Sequence, residues 1–273
     1  MTEERCVQLS SGTFRALDWG AGVPTVLLLH GLTGVAEVWG PTVSHLVAGR
    51  RYLALDQRGH GHSPSGAGLD YSARAFVKDT VEFIESVGAP VHLVGHSMGA
   101  RIALLLAARH PALLGSATIV DIGPEASRKN ITDTLAALER RQERFESRGE
   151  AIATVFRSRK PTLSDEEILL ARLKRAADGS YAWRSSREVL GECVSRQRSR
   201  SYWAEWRAIS VPAMFVRGGA STEVTTVIAE RMRAANPRMR FERLEGIGHN
   251  IPLIAPDALS ALLEDFWRSA GES

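Results

Sequence analysis

The chain has 273 residues, of which 44% are hydrophobic and 24% are charged. This length can bury one large core and leaves room for an inserted subdomain. The formal net charge is only +3, from 34 Lys and Arg against 31 Asp and Glu, and without a clustered basic face such a weak bias argues against nucleic-acid binding. No apolar run approaches the roughly 20 residues of a membrane helix, so we expect no membrane partner.

Cysteine usage and the start of the chain bear on the compartment. Cys6 and Cys193 lie far apart, so we expect no disulfide framework, and no Cys/His spacing indicates zinc. Residues 1–12 are charged and lack the apolar core of a secretory signal. These features predict a cytoplasmic protein.

The first half of the chain alternates short apolar runs with helical patterns. Residues 6–20 are typical of a β-hairpin around a Ser-Gly turn. Short apolar runs predict buried strands at 25–31, 51–56, 91–95 and 116–121, and helical spacing predicts helices at 70–88 and 98–111. Buried strands that alternate with helices indicate a parallel sheet.

The pattern changes between residues 124 and 206, where helical segments follow one another and no strand is predicted. One of these helices is expected to begin with a capping box formed by Ser164 and Glu167. Strands and helices alternate again from residue 211 to residue 270. We therefore predict a core domain of residues 1–123 and 207–273, with residues 124–206 inserted as an all-helical cap. Ligands bind outside the carboxyl ends of parallel strands, where such a cap would cover the site.

A serine between two glycines follows the strand predicted at 91–95. Residues 95–99 read Gly-His-Ser-Met-Gly and precede a helical pattern. This is the G-x-S-x-G arrangement, in which small residues two positions away on either side allow a sharp turn from strand to helix. The turn exposes the serine hydroxyl, so Ser97 is the candidate nucleophile.

Four motifs in this order resemble those of the α/β-hydrolase superfamily over essentially the whole chain. They are LLLHGLTG at 27–34, LDQRGHGHS at 55–63, VGHSMGAR at 94–101 and EGIGHNIPL at 245–253. The resemblance implies an α/β-hydrolase fold, with a mostly parallel eight-stranded sheet and helices on both faces. It also implies His249 as the general base and the backbone N–H groups of Leu32 and Met98 as oxyanion donors.

The acid that orients His249 has two candidates. Many relatives carry an aspartate after the strand that here ends near Gly219, but the residues that follow include only Glu223. Asp121 ends the strand after the nucleophile helix, where some α/β-hydrolases carry their acid. The chain resembles two such groups, small bacterial esterases and an amide hydrolase that acts on an acetamidomethylene succinate. We predict Asp121, with Glu223 as the alternative.

The expected activity is hydrolysis of a carboxylic ester through a Ser-His-Asp triad, without a metal or organic cofactor. The alternative is a specialised hydrolase of a carboxylate-bearing amide, lactone or vinylogous diketone, the last by carbon–carbon cleavage. A non-catalytic binding protein of the same fold is a third reading, which the intact Ser97, His249 and Asp121 argue against. The partner is a small-molecule substrate, and the protein is expected to be a monomer or homodimer. Candidate pocket residues are His30, which also orders the oxyanion loop, Trp39, Arg159 and Trp183.

Overall fold

The strands of the protein form one large and one small sheet. The computed structural model describes residues 2–270. Its strands are β1 (Thr2–Leu9), β2 (Gly12–Trp19), β3 (Thr25–Leu29), β4 (Arg51–Leu55), β5 (Val91–His96), β6 (Leu114–Val120), β7 (Arg144–Phe145), β8 (Leu173–Arg175), β9 (Tyr181–Trp183), β10 (Ala213–Gly218) and β11 (Arg240–Leu244).

The large sheet has eight strands in the order β1-β2-β4-β3-β5-β6-β10-β11. The pairs β1–β2 and β2–β4 are antiparallel, and the remaining pairs are parallel. Every residue of β3 and β5 is buried, as expected of central parallel strands covered on both faces. The predicted α/β-hydrolase fold is confirmed.

Helices cover both faces of this sheet. In chain order the helices of residues 2–270 are α1 (Gly40–Val43), α2 (Ala73–Val87), α3 (Met98–Arg109), α4 (Arg128–Glu139), α5 (Arg148–Val155), α6 (Leu163–Ala171), α7 (Arg187–Arg198), α8 (Trp203–Ala208), α9 (Thr226–Ala235), α10 (Ile251–Ile254) and α11 (Pro256–Ser269), of which α4 to α7 lie in the inserted segment. One apolar cluster contains side chains of α2, α3 and α8, and a second contains side chains of α11. Within residues 2–270, no helix is both long and apolar enough to cross a membrane.

The inserted segment, residues 124–206, is not all-helical as predicted. Strands β7, β9 and β8 form a three-stranded antiparallel sheet within it, in which Phe145 pairs with Tyr181 and Leu173 pairs with Trp183. Each strand has only two or three residues, which is too short for hydrophobic alternation to be visible in the sequence. A small apolar cluster that includes Phe145 and Leu173 stabilises the sheet.

The C-terminal end of the inserted segment is continuous with the main core. The predicted boundary at residues 206 and 207 falls inside α8, and Trp206 is fully buried in the core with its Nε1 donating to the Met232 carbonyl.

The predicted capping box is displaced by two residues. Thr162 caps α6, with its hydroxyl accepting from the Asp165 N–H while the Asp165 carboxylate accepts from the Thr162 N–H. Asp serves here in the place that the sequence pattern reserves for Glu.

Candidate active site

Ser97 lies on the turn between β5 and α3 with φ of 53° and ψ of −112°. A non-glycine residue with positive φ is strained, and such strain concentrates at functional sites. The two flanking glycines make the turn possible. A Cβ atom on Gly95 would lie 2.3 Å from the Gly99 carbonyl oxygen, and one on Gly99 would lie 2.3 Å from the Leu29 carbonyl oxygen. The spacing recognised in the sequence is therefore a steric requirement.

Ser97, His249 and Asp121 form a hydrogen-bonded chain. Ser97 Oγ lies 3.0 Å from His249 Nε2, and His249 Nδ1 lies 2.7 Å from Asp121 Oδ2. An ionised carboxylate only accepts hydrogen bonds, so Nδ1 carries the proton and donates it. The lone pair of Nε2 then faces the serine hydroxyl, which is the arrangement that a general base requires.

Asp121 is held by donors from the last residue of β10 and from the loop that follows it. The residue is fully buried at the end of β6 with φ of 53°. Its Oδ1 accepts from the Gly218 N–H at 3.0 Å, and its Oδ2 accepts from the Ser221 hydroxyl. The loop that lacks an aspartate thus supplies a hydrogen-bond donor, the Ser221 hydroxyl, to the carboxylate that follows the neighbouring strand. Ser221 was not predicted as a site residue, because no local sequence pattern links it to a residue 100 positions away.

Glu223 lies near the site but does not contact His249. Its backbone N–H donates to Ser221 Oγ at 3.2 Å, and its Oε1 lies 3.4 Å from both Nη atoms of Arg198. The side chain lines the cavity beside Ser97. Of the two acid candidates, Asp121 is the one placed against the histidine.

The loop after β3 is ordered by His30. The ring is fully buried, and burial, together with the nearby His60, lowers its pKa well below the ordinary value. His30 Nε2 accepts from the Gln57 N–H at 3.1 Å, so Nδ1 donates to the Gly31 carbonyl at 2.8 Å. The Gly99 N–H donates to the His30 carbonyl and ties this loop to the nucleophile helix.

The two predicted oxyanion donors lie on these tied segments. Leu32 follows Gly31, where a Cβ atom would lie 3.3 Å from Ser97 Cβ, and Met98 begins α3. Neither the Leu32 N–H nor the Met98 N–H has a hydrogen-bond partner among residues 2–270. Leu32 lines the cavity above Ser97, together with Ser97 and His249. Met98 directly follows Ser97 in the chain. Free N–H groups at a helix start favour a developing negative charge.

His96 connects the nucleophile strand to the histidine loop. Its Nε2 donates to the His249 carbonyl at 2.8 Å, and the two rings lie 4.9 Å apart. Burial, and secondarily the neighbouring His249, lowers the pKa of His96 to about 3. His96 therefore stays neutral near pH 7, so it fixes the position of the His249 backbone without adding charge to the site.

The cavity above Ser97 has a volume of about 200 Å³, and an adjoining cavity of about 240 Å³ shares Thr33, Gly34 and Arg172 with it. Trp183 lines the adjoining cavity and not the one above Ser97, with its Nε1 donating to the Gln142 carbonyl. His30 is fully buried behind the loop that it orders and is not part of either wall.

Two further pocket predictions are wrong. Trp39 is fully buried in the apolar cluster that contains Trp267, because the short 3-10 helix Ala36–Trp39 packs its ring inward. Arg159 has a side chain that is 53% exposed and that binds the Asp165 carboxylate through both Nη atoms. The arginines of the inserted segment that reach the Ser97 cavity are Arg172 and Arg198.

The general sequence pattern of the alpha/beta hydrolase family matches residues 26–262. The chain belongs to this family. Within the described residues, no group of three or more His, Cys, Asp or Glu side chains could hold a metal ion.

Known members of the alpha/beta hydrolase family cover nearly the whole chain. An esterase of Mycobacterium tuberculosis is 27% identical over 92% of this chain and 85% of its own length. A 2-(acetamidomethylene)succinate hydrolase of Mesorhizobium japonicum is 26% identical over 96% of this chain and 94% of its own. A crystal structure of an E-2-(acetamidomethylene)succinate hydrolase superimposes with a TM-score of 0.91 at 22% identity, over 98% of this chain and 100% of that one. That structural likeness concerns the fold alone.

Proposed function

We propose that this hydrolase cleaves a carboxylic ester of a small molecule through a Ser97–His249–Asp121 triad and an acyl-enzyme intermediate. The observation that carries the proposal is the unbroken hydrogen-bonded chain from the strained Ser97 turn to the buried Asp121. The esterase among the relatives supports the same reaction class.

The geometry supports the following role for each group. His249 Nε2 takes the Ser97 proton as Oγ attacks the ester carbonyl carbon, and the N–H groups of Leu32 and Met98 receive the developing oxyanion. His249 then passes the proton to the leaving alkoxide. Water repeats the sequence and releases the acid. Asp121 stays ionised throughout and stabilises the imidazolium, aided by the Gly218 and Ser221 donors.

The size of the cavity limits the acyl group. About 200 Å³ lies above Ser97, which is below the roughly 300–1,000 Å³ typical of sites for drug-sized ligands. A short acyl chain is therefore the expected substrate, and longer chains should lose activity.

Hydrolysis of p-nitrophenyl acetate and butyrate tests the proposal. We expect steady turnover by the wild-type protein and a loss of at least about a thousandfold in Ser97→Ala. The variant should melt at the wild-type temperature, because a small side chain on the turn is retained. Turnover that survives in Ser97→Ala would refute the assignment. Labelling of Ser97 without turnover of either ester would instead favour the specialised amide or carbon–carbon hydrolase.

A further inference from the structure

Arg172 lies at the wall of the catalytic cavity, on a segment whose neighbouring side chains are packed. It follows the last residue of α6, and Ile168, one helical turn earlier, packs into the core of the main domain. Residues four apart lie on the same helix face, so this packing directs Arg172 toward the core as well. Leu169 and Leu173 are buried in the small cluster of the inserted segment. Two apolar clusters therefore fix the backbone on either side of the guanidinium.

This guanidinium has no counterion. Its Nε is excluded from solvent, and the group makes no hydrogen bond or ion pair with any residue from 2 to 270. The two carboxylates that act on its charge are Glu37 and Asp165. Glu37 binds Arg15 at 2.8 Å and Asp165 binds Arg159 at 2.6 Å, so both are already neutralised.

The other arginines at these cavities are paired. Arg198 lies 3.4 Å from Glu223, and Arg141, at the adjoining cavity, lies 2.8 Å from Glu143. Burial lowers the pKa of Arg172 to about 10, so the side chain still carries its charge at neutral pH. Arg172 is thus an uncompensated cation in the cavity that also contains Ser97 and His249.

Arg172 is half-buried, with its Nε out of solvent. A partly desolvated cation without a partner destabilises the folded protein, and a bound anion offsets that cost. A guanidinium offers a planar fork of donors that matches a carboxylate through two parallel hydrogen bonds. We propose that Arg172 binds a carboxylate of the substrate, which makes the preferred substrate an anionic half-ester of a short dicarboxylic acid. This inference rests on the proposed ester hydrolysis for its reaction but not for its binding site.

Selectivity between charged and neutral esters tests the proposal. The substrates are the monomethyl esters of malonic, succinic and glutaric acid, which vary the distance between ester and carboxylate, with dimethyl succinate and methyl butyrate as neutral counterparts. In the wild-type protein one monoester should be preferred. In Arg172→Met the ratio of kcat/KM for that monoester to kcat/KM for methyl butyrate should fall at least about tenfold, mainly through KM. Arg172→Lys should retain part of the preference.

Arg196→Met is the matched control. It also removes an arginine of the inserted segment, but an exposed one paired with Glu192, and the selectivity ratio should stay as in the wild type. An unchanged ratio in Arg172→Met would overturn the proposal, and so would an equal loss in both variants. Arg172→Met should also melt no more than about 5 °C below the wild type, because the guanidinium makes no bond within the fold. A larger drop would show a structural role and would overturn the inference.

Binding without turnover separates this inference from the proposed function. Calorimetry with Ser97→Ala should detect monomethyl succinate and succinate, and the double variant Ser97→Ala/Arg172→Met should bind both at least about tenfold more weakly. If the wild type hydrolyses no ester while Ser97→Ala binds these anions, ester hydrolysis fails and the carboxylate site stands. If neutral esters are hydrolysed and neither anion binds, ester hydrolysis stands and the carboxylate site at Arg172 fails.

Discussion

Replacing Asp121 by Asn changes charge and donor pattern without changing shape. The carboxylate accepts three hydrogen bonds, from His249 Nδ1, the Gly218 N–H and the Ser221 hydroxyl. If the amide oxygen faces Gly218, the NH₂ group faces His249 and forces the proton onto Nε2, which can then no longer accept from Ser97. If the amide is flipped, its NH₂ group meets the Gly218 N–H, and two donors oppose each other. The first orientation disables the histidine, and the second is disfavoured because it replaces a hydrogen bond with two opposed donors.

The expected loss in kcat is about 10⁴-fold, the size found when a triad histidine is held in the wrong tautomer. This corresponds to about 5 kcal/mol in the activation free energy. The assay is steady-state hydrolysis of p-nitrophenyl butyrate, with thermal melting to confirm the fold. Glu223→Gln is the matched control, because its side chain reaches the cavity but not His249. It should lose no more than about tenfold.

The opposite pattern would refute this reasoning. If Asp121→Asn keeps kcat within tenfold of the wild type while Glu223→Gln loses a thousandfold, the carboxylate that serves His249 comes from the loop after β10. The hydrogen bond between His249 and Asp121 would then be structural only.

Three further predictions concern the surroundings of the triad. Ser221→Ala removes one hydrogen bond to the Asp121 carboxylate, and a bond to a charged group is worth about 1.5–3 kcal/mol. We therefore expect kcat to fall about tenfold or more. An unchanged kcat would show that the Gly218 N–H alone is enough to hold the carboxylate. Trp39→Ala empties a fully buried ring site and should lower the free energy of unfolding in urea by about 3–5 kcal/mol; a loss below 1 kcal/mol would contradict its place in the core. Burial lowers the pKa of His92 to about 4. Between about pH 6.5 and 4 the unfolded chain therefore binds a proton that the folded chain does not, and the free energy of unfolding decreases as the pH is lowered through that window. His92→Gln should flatten the fall in melting temperature between pH 7.5 and 5, and equal slopes would exclude this source.

The sequence predicted the large sheet well, because the signals for its strands lie in short continuous segments of the chain. Parallel strands covered on both faces, such as β3 and β5, appear as continuous apolar runs. The Ser97 turn is also recognisable, because a Cβ atom at Gly95 or Gly99 would collide with backbone. Asp121 could be predicted as the acid because it directly follows β6, the strand that pairs with β5 beside Ser97.

The remaining features depend on contacts between distant segments. Strands β7 to β9 are too short to carry a pattern, and they form only through pairing across the inserted segment. Among its many arginines, the sequence does not reveal which lacks a carboxylate. Arg159 finds Asp165 six residues away, whereas the isolation of Arg172 depends on Glu37 being taken by Arg15. Only the folded arrangement separates the two.

The proposed division of roles between core and inserted segment has an engineering consequence. Ser97, Asp121 and His249 all lie outside residues 124–206, whereas Arg172 lies inside. Exchanging that segment for one from another family member would then alter which acyl groups are accepted and leave the hydrolytic step intact. Because Ile168 anchors α6 in the main core, a transplanted segment would need a side chain of similar volume there. Val189, Cys193 and Trp206 also join the segment to the main core, so a transplant would have to keep their packing as well.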